Sequence, residues 1–146
     1  MHVERTFTVA RPIESVYDYL ADFSHTEQWD PGTVSTVRTS GDGGVGTVYH
    51  NVSEFLGRRA ELDYTTIVLT RPTEVKFRGD NSSAVTYDWM RLARASGNAT
   101  EVHYRAEFAF TSLAVRLLAP LVVGRKLSKL ADETVEQLTS ALLNHA

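Results

Sequence analysis

The sequence predicts one α+β domain in which a curved antiparallel β-sheet packs against a long C-terminal helix, with two short helices after the first strand. Three observations carry this expectation. The chain has 146 residues, the size of a single domain. Its middle alternates in period two: Ala60, Leu62, Tyr64, Thr66 and Val68 oppose Glu61, Asp63 and Thr65, and Val102, Tyr104, Ala106, Phe108 and Phe110 oppose Glu101, His103, Arg105 and Glu107. Such alternation sets one face on a core and one in water, the habit of an antiparallel sheet. After Thr111 the apolar spacing turns helical through Leu117, Leu121, Ala131, Val135, Leu138 and Leu142, which keeps one helix face apolar.

Residues 2–9 are rich in Thr, Val and Phe and read as the first strand. Arg11-Pro12 opens a helix over 12–21, because proline at the first helical position loses no hydrogen bond. Ser24 is placed to cap a second short helix through Gln28, before the turn signal Trp29-Asp30-Pro31-Gly32. Strands are expected near 34–39, 46–55, 60–70, 74–78, 84–94 and 100–111. The segments 40–44, 79–83 and 95–98 are short and rich in Gly, Ser, Asn and Asp, so they read as turns rather than domain boundaries. Pro120 marks the expected start of the long helix, which runs to Leu143 behind a short helical turn. Gly124 costs about 1 kcal/mol there relative to Ala, which either a close backbone approach or a kink would explain. With no linker, repeat or low-complexity stretch, 1–146 is one domain.

Composition removes several functions. There are no cysteines, so a disulfide framework, a thiolate metal site and a cysteine nucleophile are excluded. A net charge of −3 and a pI near 5.9 argue against nucleic acid as a partner. No apolar run approaches the ~20 residues that span a bilayer, and Met1-His2-Val3-Glu4-Arg5 is no secretory leader. A cytoplasmic protein without membrane insertion, monomeric or homodimeric, is the expectation. His2, His25, His50, His103 and His145 are scattered, with His50 and His103 on outward faces, so no metal is expected. The glycine-rich 41–46 lacks the Lys-Ser/Thr of a phosphate loop, and Ser53 sits in no nucleophile elbow. No cofactor is implied.

The strand followed by Ala10-Arg11-Pro12-Ile13-Glu14-Ser15-Val16-Tyr17-Asp18-Tyr19-Leu20-Ala21-Asp22, and then Trp29-Asp30-Pro31-Gly32, resembles the opening of the polyketide cyclase/dehydrase-like proteins of the START-like (SRPBCC) superfamily. Gly46-Thr47-Val48-Tyr49, Phe55-Leu56-Gly57-Arg58-Arg59-Ala60 and Thr100-Glu101-Val102 fall where that family carries similar short motifs, with Ala99 in place of its usual Gly. The resemblance spans nearly the whole chain. It implies the helix-grip fold, a curved antiparallel sheet wrapped around the C-terminal helix with a cavity between them. It also implies a role in either binding or catalysis, so function rests on the site.

Parity then gives the inward residues: Tyr49, Asn51, Ser53 and Phe55; Leu62, Tyr64, Thr66 and Val68; Val102, Tyr104, Ala106 and Phe108; and from the helix Leu117, Leu121 and either Gly124 or Arg125. Strand 84–94 has two readings. Size favours Tyr87 and Trp89 inward, whereas the resemblance favours Met90 and Leu92, which brings Thr86 and Asp88 inward and leaves Tyr87 with Trp89 as an outer apolar patch. Trp29 reads as a core plug, and the resemblance sets it at the pocket border. The expected ligand-binding set is Trp29, Tyr49, Asn51, Ser53, Tyr64, Thr66, Asp88, Met90, Tyr104, Phe108, Leu117 and Leu121. Apolar walls with a few hydroxyls suit a small hydrophobic or aromatic, lipid- or polyketide-like ligand. The alternative is a cofactor-free cyclase or dehydratase in which Asp88 is the base and a tyrosine steadies an enolate oxygen. A third is an interaction module that dimerises through the outer patch.

Overall fold

The computed structural model describes residues 1–55 and 57–146, and the side chains of all of these except 115 and 118–123. The expected order of elements is present. Strand β1 (His2–Val9) leads to helix α1 (Ile13–Leu20), a 3₁₀ turn over Phe23–His25 and the one-turn helix α2 (Thr26–Trp29). Then come β2 (Thr33–Ser40), β3 (Val48–Phe55), β4 (Arg58–Thr70), β5 (Glu74–Asp80), β6 (Ala84–Ala95), β7 (Ala99–Phe110) and the 33-residue helix α3 (Leu113–His145). The strands form one antiparallel sheet in the order β1-β7-β6-β5-β4-β3-β2. Meandering hairpins account for the run from β2 to β7, and β1 closes onto β7.

Local details differ from the sequence reading in instructive ways. Pro12 is the N-cap of α1 rather than its first residue, and its carbonyl accepts from the Val16 N–H. The cap that organises the next turn is Asp22, whose carboxylate accepts from the Ser24 N–H at 3.0 Å and the Ser24 hydroxyl at 2.6 Å. Ser24 is thus held by a cap and is not one itself. The long helix starts at Leu113, ahead of Pro120. Strand β5 runs through Gly79 to Asp80, where composition predicts a turn. In the β6–β7 hairpin Gly97 (φ 73°) and Asn98 (φ 60°) take the left-handed conformation, so Ala99 lies inside the strand and needs no special backbone.

One irregularity changes which residues face inward. The β4–β5 register shifts between Thr66 and Val68. A bulge inserts one residue and flips the side chains beyond it. Leu69 therefore packs against the core, and Val68 pairs with Lys76 on the outer face, not inward as plain alternation implies.

The core lies between the sheet's inner face and the helices. Val75, Phe77, Met90, Val102, Leu138 and Leu142 are inaccessible to solvent. Among the described residues of α3 the buried positions are Leu127, Ala131, Thr134, Leu138, Ala141 and Leu142, each three or four residues from another as a single packed stripe requires. The start of α3 is different. Leu113 and Leu117 are each 67% exposed, and among the described residues the buried stripe begins at Leu127. The edge strand β2 carries two register shifts, between Thr33 and Ser35 and between Arg38 and Ser40, and exposes Val34 and Val37.

Candidate functional site

The described residues leave part of the inner face unfilled. A cavity of about 310 Å³ lies between the sheet and α3. Strands β3 and β4 supply Asn51, Ser53, Leu62 and Tyr64 to its wall, β6 and β7 supply Thr86, Asp88, Tyr104 and Phe108, and α3 closes it with Leu127, Leu130, Ala131 and Thr134. The loop after α2 adds Asp30 and Gly32.

Gly79 shapes this wall. It stands between Tyr64 on β4 and Thr86 on β6 in the ladder. A Cβ at Gly79 would lie 2.6 Å from the Tyr64 ring and 2.7 Å from the Thr86 hydroxyl, closer than atoms approach. The missing side chain lets the Tyr64 ring lie across the strand, so that its hydroxyl accepts from Thr86 Oγ1 at 3.1 Å. Phe23 packs on the Tyr64 ring from the other side, with ring centres 4.4 Å apart, and on Phe77 at 4.5 Å.

Two carboxylates border the void. The Tyr104 hydroxyl donates to Asp88 Oδ1 at 3.0 Å. Asp30 accepts from the Thr33 hydroxyl at 2.7 Å and from the Gly32 N–H at 3.2 Å. Thr33 in turn accepts from Asn51 Nδ2 at 3.0 Å, and the same amide donates to Thr36 Oγ1 at 2.8 Å. Thr26 gives its only hydroxyl hydrogen to the Phe23 carbonyl, so in the 2.6 Å contact between Thr26 and Thr36 the donor is Thr36. The network fixes Asn51 and Asp30 as a rigid polar floor.

By surface area both acids are only half-buried, because they border empty space. They nevertheless lie deep in the fold, and depth governs their ionisation. Burial pushes Asp88 up to about 7, the charge of Asp30 adds to the rise, and the Tyr104 hydrogen bond opposes it. Burial also raises Asp30, against the hydrogen bonds from Thr33 and Gly32. Tyr64 and Tyr104 are raised by burial first and by Asp88 second, and stay neutral.

Among the residues expected at the site, Asn51, Ser53, Tyr64, Asp88, Tyr104 and Phe108 meet at this cavity. Strand β6 adopts the register that turns Thr86, Asp88, Met90 and Leu92 inward. Trp89 and Tyr87 lie outward, with Lys76 Nζ 4.3 Å from the Trp89 ring centre and 5.1 Å from that of Tyr87. The other expected residues lie elsewhere. Tyr49, Thr66 and Met90 point inward but are sealed in the packed core. Trp29 stands one layer behind the wall, edge-on to Tyr104 at 6.2 Å. Leu117 is exposed and does not line the cavity. The side chain of Leu121 lies outside the described residues. A Cβ on Gly124 would meet no described atom within 4 Å, so no close approach accounts for that glycine, and Arg125 is exposed. His50 is on the outer face between Glu61 and Asp63, and His103 bonds Thr6 there. Sequence reasoning misses Asp30, which reads as a turn residue, and Gly79. The signal for Asp30 is present in Asp30-Pro31-Gly32-Thr33, where a carboxylate precedes a hydroxyl by three residues.

The wall thus combines aromatic and aliphatic surface with a neutral tyrosine pair and a carboxylate that changes protonation near neutrality. Chemically, such a wall can orient an amphipathic molecule and can exchange a proton with one.

The fold has many solved relatives. TTHA0849 from Thermus thermophilus superposes with a TM-score of 0.82 at 15% identity, covering 100% of this chain and 99% of that one. The ZhuI aromatase/cyclase from Streptomyces sp. R1128 gives 0.71 at 18% identity over 94% of this chain and 93% of its own. A START superfamily protein from Mycobacterium smegmatis gives 0.69 at 17% identity, over 97% and 93%. A sequence search of curated proteins finds no match. The fold is the START-like helix grip, and the model of one family matches residues 1–142. By that match the chain belongs to the polyketide cyclase / dehydrase and lipid transport family.

Proposed function

We propose that this protein binds a small hydrophobic or aromatic molecule in the space between the sheet and α3, as a carrier or binding protein. The observation that carries the reading is the cavity itself, about 310 Å³ in size and walled mainly by apolar side chains with a few fixed hydrogen-bonding groups. Natural cores are packed without such voids, and an unfilled apolar space of ligand size is what a binding site provides. Removing apolar ligand surface from water supplies roughly 25 cal/mol per Å² before association costs. The family's description, which joins polyketide cyclase, dehydrase and lipid transport, fits this reading.

The test is titration with the neutral solvatochromic dye 6-propionyl-2-(dimethylamino)naphthalene. Blue-shifted emission that saturates at one equivalent, and that polycyclic aromatic compounds reverse, supports the reading. No shift at any protein concentration sinks it.

A second reading, a cofactor-free cyclase or dehydratase, is favoured by one specific observation: Asp88, poised near neutrality, is hydrogen-bonded to a neutral tyrosine in the same cavity. In that reading Asp88 removes a proton beside a carbonyl, and Tyr64 or Tyr104 donates to the enolate oxygen. Asp88→Asn then slows turnover by roughly 10²–10⁴, and a turnover that survives the substitution excludes it.

A further inference from the structure

We infer that this cavity sorts ligands by charge: it admits neutral molecules, holds a protonated amine more tightly, and excludes carboxylates, sulfonates and phosphates. The inference rests on the binding reading above and names the class of its ligand.

The wall offers nothing to balance a negative charge. Among the described residues that line the cavity there is no Lys, Arg or His, whereas Asp30 and Asp88 border its interior and Glu54 stands at its exposed mouth. Arg58 and Arg59 lie beside the mouth on an exposed turn and do not line the cavity, and the cations of β5 and β7 are engaged on the outer face. Lys76 lies over Trp89 and Tyr87, Arg78 pairs with Asp80, and Arg105 pairs with Glu4 and Glu107. An anionic ligand would leave water for a mainly apolar space beside two carboxylates and meet no counter-charge from the described lining. Desolvation and repulsion both oppose it.

A cation meets the opposite situation. Each oxygen of Asp30 already accepts one hydrogen bond, from the Gly32 N–H and from the Thr33 hydroxyl. Asp88 is different, because Tyr104 donates to Oδ1 and no described protein donor reaches Oδ2. The Tyr64 hydroxyl oxygen accepts from Thr86 and retains a second lone pair. An ammonium group therefore finds an open carboxylate oxygen and a phenol oxygen on one wall, with aromatic surface for its apolar part.

The groups that face Asp88 are few: Tyr64 from β4, Tyr104 from β7 and Asp30 from the loop after α2. Phe77 on β5 and the described α3 residues Leu127, Leu130, Ala131 and Thr134 bring no charge. Asp88 takes up a proton near pH 7, so an amine that binds at lower pH must displace that proton. Its advantage over a neutral analogue then falls about tenfold per pH unit below 7.

The experiment displaces the neutral dye with three naphthalene compounds of similar size, 2-(2-naphthyl)ethylamine, 2-(2-naphthyl)ethanol and 2-naphthylacetic acid, at pH 8. The amine is expected to bind at least about tenfold more tightly than the alcohol, and the acid at least about tenfold more weakly. In Asp88→Asn the amine and the alcohol converge, and an unchanged far-ultraviolet circular dichroism spectrum shows that the variant is folded. Equal binding of acid and alcohol, or an amine preference that survives Asp88→Asn, overturns the inference while leaving the cavity reading standing. A dye that never binds overturns both. Should Asp88→Asn not fold, the wild-type pH series decides: an amine advantage that stays constant from pH 8 to pH 5 overturns the inference.

Discussion

The inner face of the sheet has two halves built from the same strands. On β6, Met90 and Leu92 are sealed in packed core, while Thr86 and Asp88 border the cavity. On β3, Tyr49 is 1% exposed, and two and four residues further Asn51 and Ser53 line the void. On β7, Val102 is buried and Tyr104 and Phe108 form wall. Each strand crosses from filled to hollow without changing face. Phe23, from the 3₁₀ turn, stands at the boundary, touching Phe77 on the filled side and Tyr64 on the hollow side. Hollowness is therefore set by what comes down onto the sheet. Where α1 and the last turns of α3 cover it, large side chains interlock. Where they do not, tyrosines and short polar residues stand around a space.

The contrast should be largest at the filled end. Phe77→Ala or Leu138→Ala should cost about 3–5 and 2–5 kcal/mol respectively, read as a lower urea midpoint. Phe108→Ala, which enlarges an existing void, should cost clearly less. Equal losses would mean that the two halves are packed alike.

Asp88 gives the next effect. Its folded value of about 7 lies above the ordinary carboxylate value near 4. The folded state therefore binds more protons than the unfolded one between those limits. Stability from this group is fully present below about pH 4, is lost as pH rises, and is gone above about pH 7, a change on the order of 4 kcal/mol. Asp88→Asn should remove that slope, so the variant gains on the wild type between pH 5 and pH 8 in chemical denaturation. A constant difference across the range would place Asp88 in water.

Gly79→Ala sharpens the boundary itself. The new methyl displaces the Tyr64 ring into the cavity, at a cost of about 1–3 kcal/mol, and dye binding should be lost. Adding Tyr64→Leu should restore part of both. Dye binding unaffected by Gly79→Ala would show that Tyr64 is not held as described. The smallest effect is expected outside the core. Lys76→Met removes the cation from over Trp89 and Tyr87, costing about 0.5–1 kcal/mol and leaving ligand affinity unchanged in the same titration.

The sequence makes faces legible but not cover. Period two places Asn51, Tyr64, Tyr104 and Phe108 on the helix side, because parity is a local property. It places Tyr49 and Thr66 there equally well, and nothing local says that Phe23 comes down beside Tyr49 or that both residues are sealed from solvent. Parity fails at Val68, where a bulge with no glycine or proline to announce it shifts the count. Leu117 continues the helical repeat of Leu121 and Ala131 in sequence, yet its side chain is exposed. Size alone misjudges the register of β6, since a tryptophan on the outer face needs partners that only the fold supplies: Glu74 accepts from its indole N–H at 2.8 Å, and Lys76 and Arg91 lie over its ring. Asp30 and Gly79 are hidden because turn-forming residues look the same in a loop as in a cavity wall.

The shifts in β2 have a consequence of another kind. An open sheet ends in two rows of backbone donors and acceptors, and β2 is one of them, with Val34 and Val37 showing to solvent. A long straight border of that composition invites another chain to extend the sheet. The net charge of −3 gives little repulsion between copies. Two irregularities within eight residues leave only Ser35–Arg38 in regular register, and the Thr36 N–H within that run already donates to the Glu27 carboxylate, so the border resists fibrous growth. Straightening it by deleting the extra residue at either shift should appear first as lost solubility at high concentration.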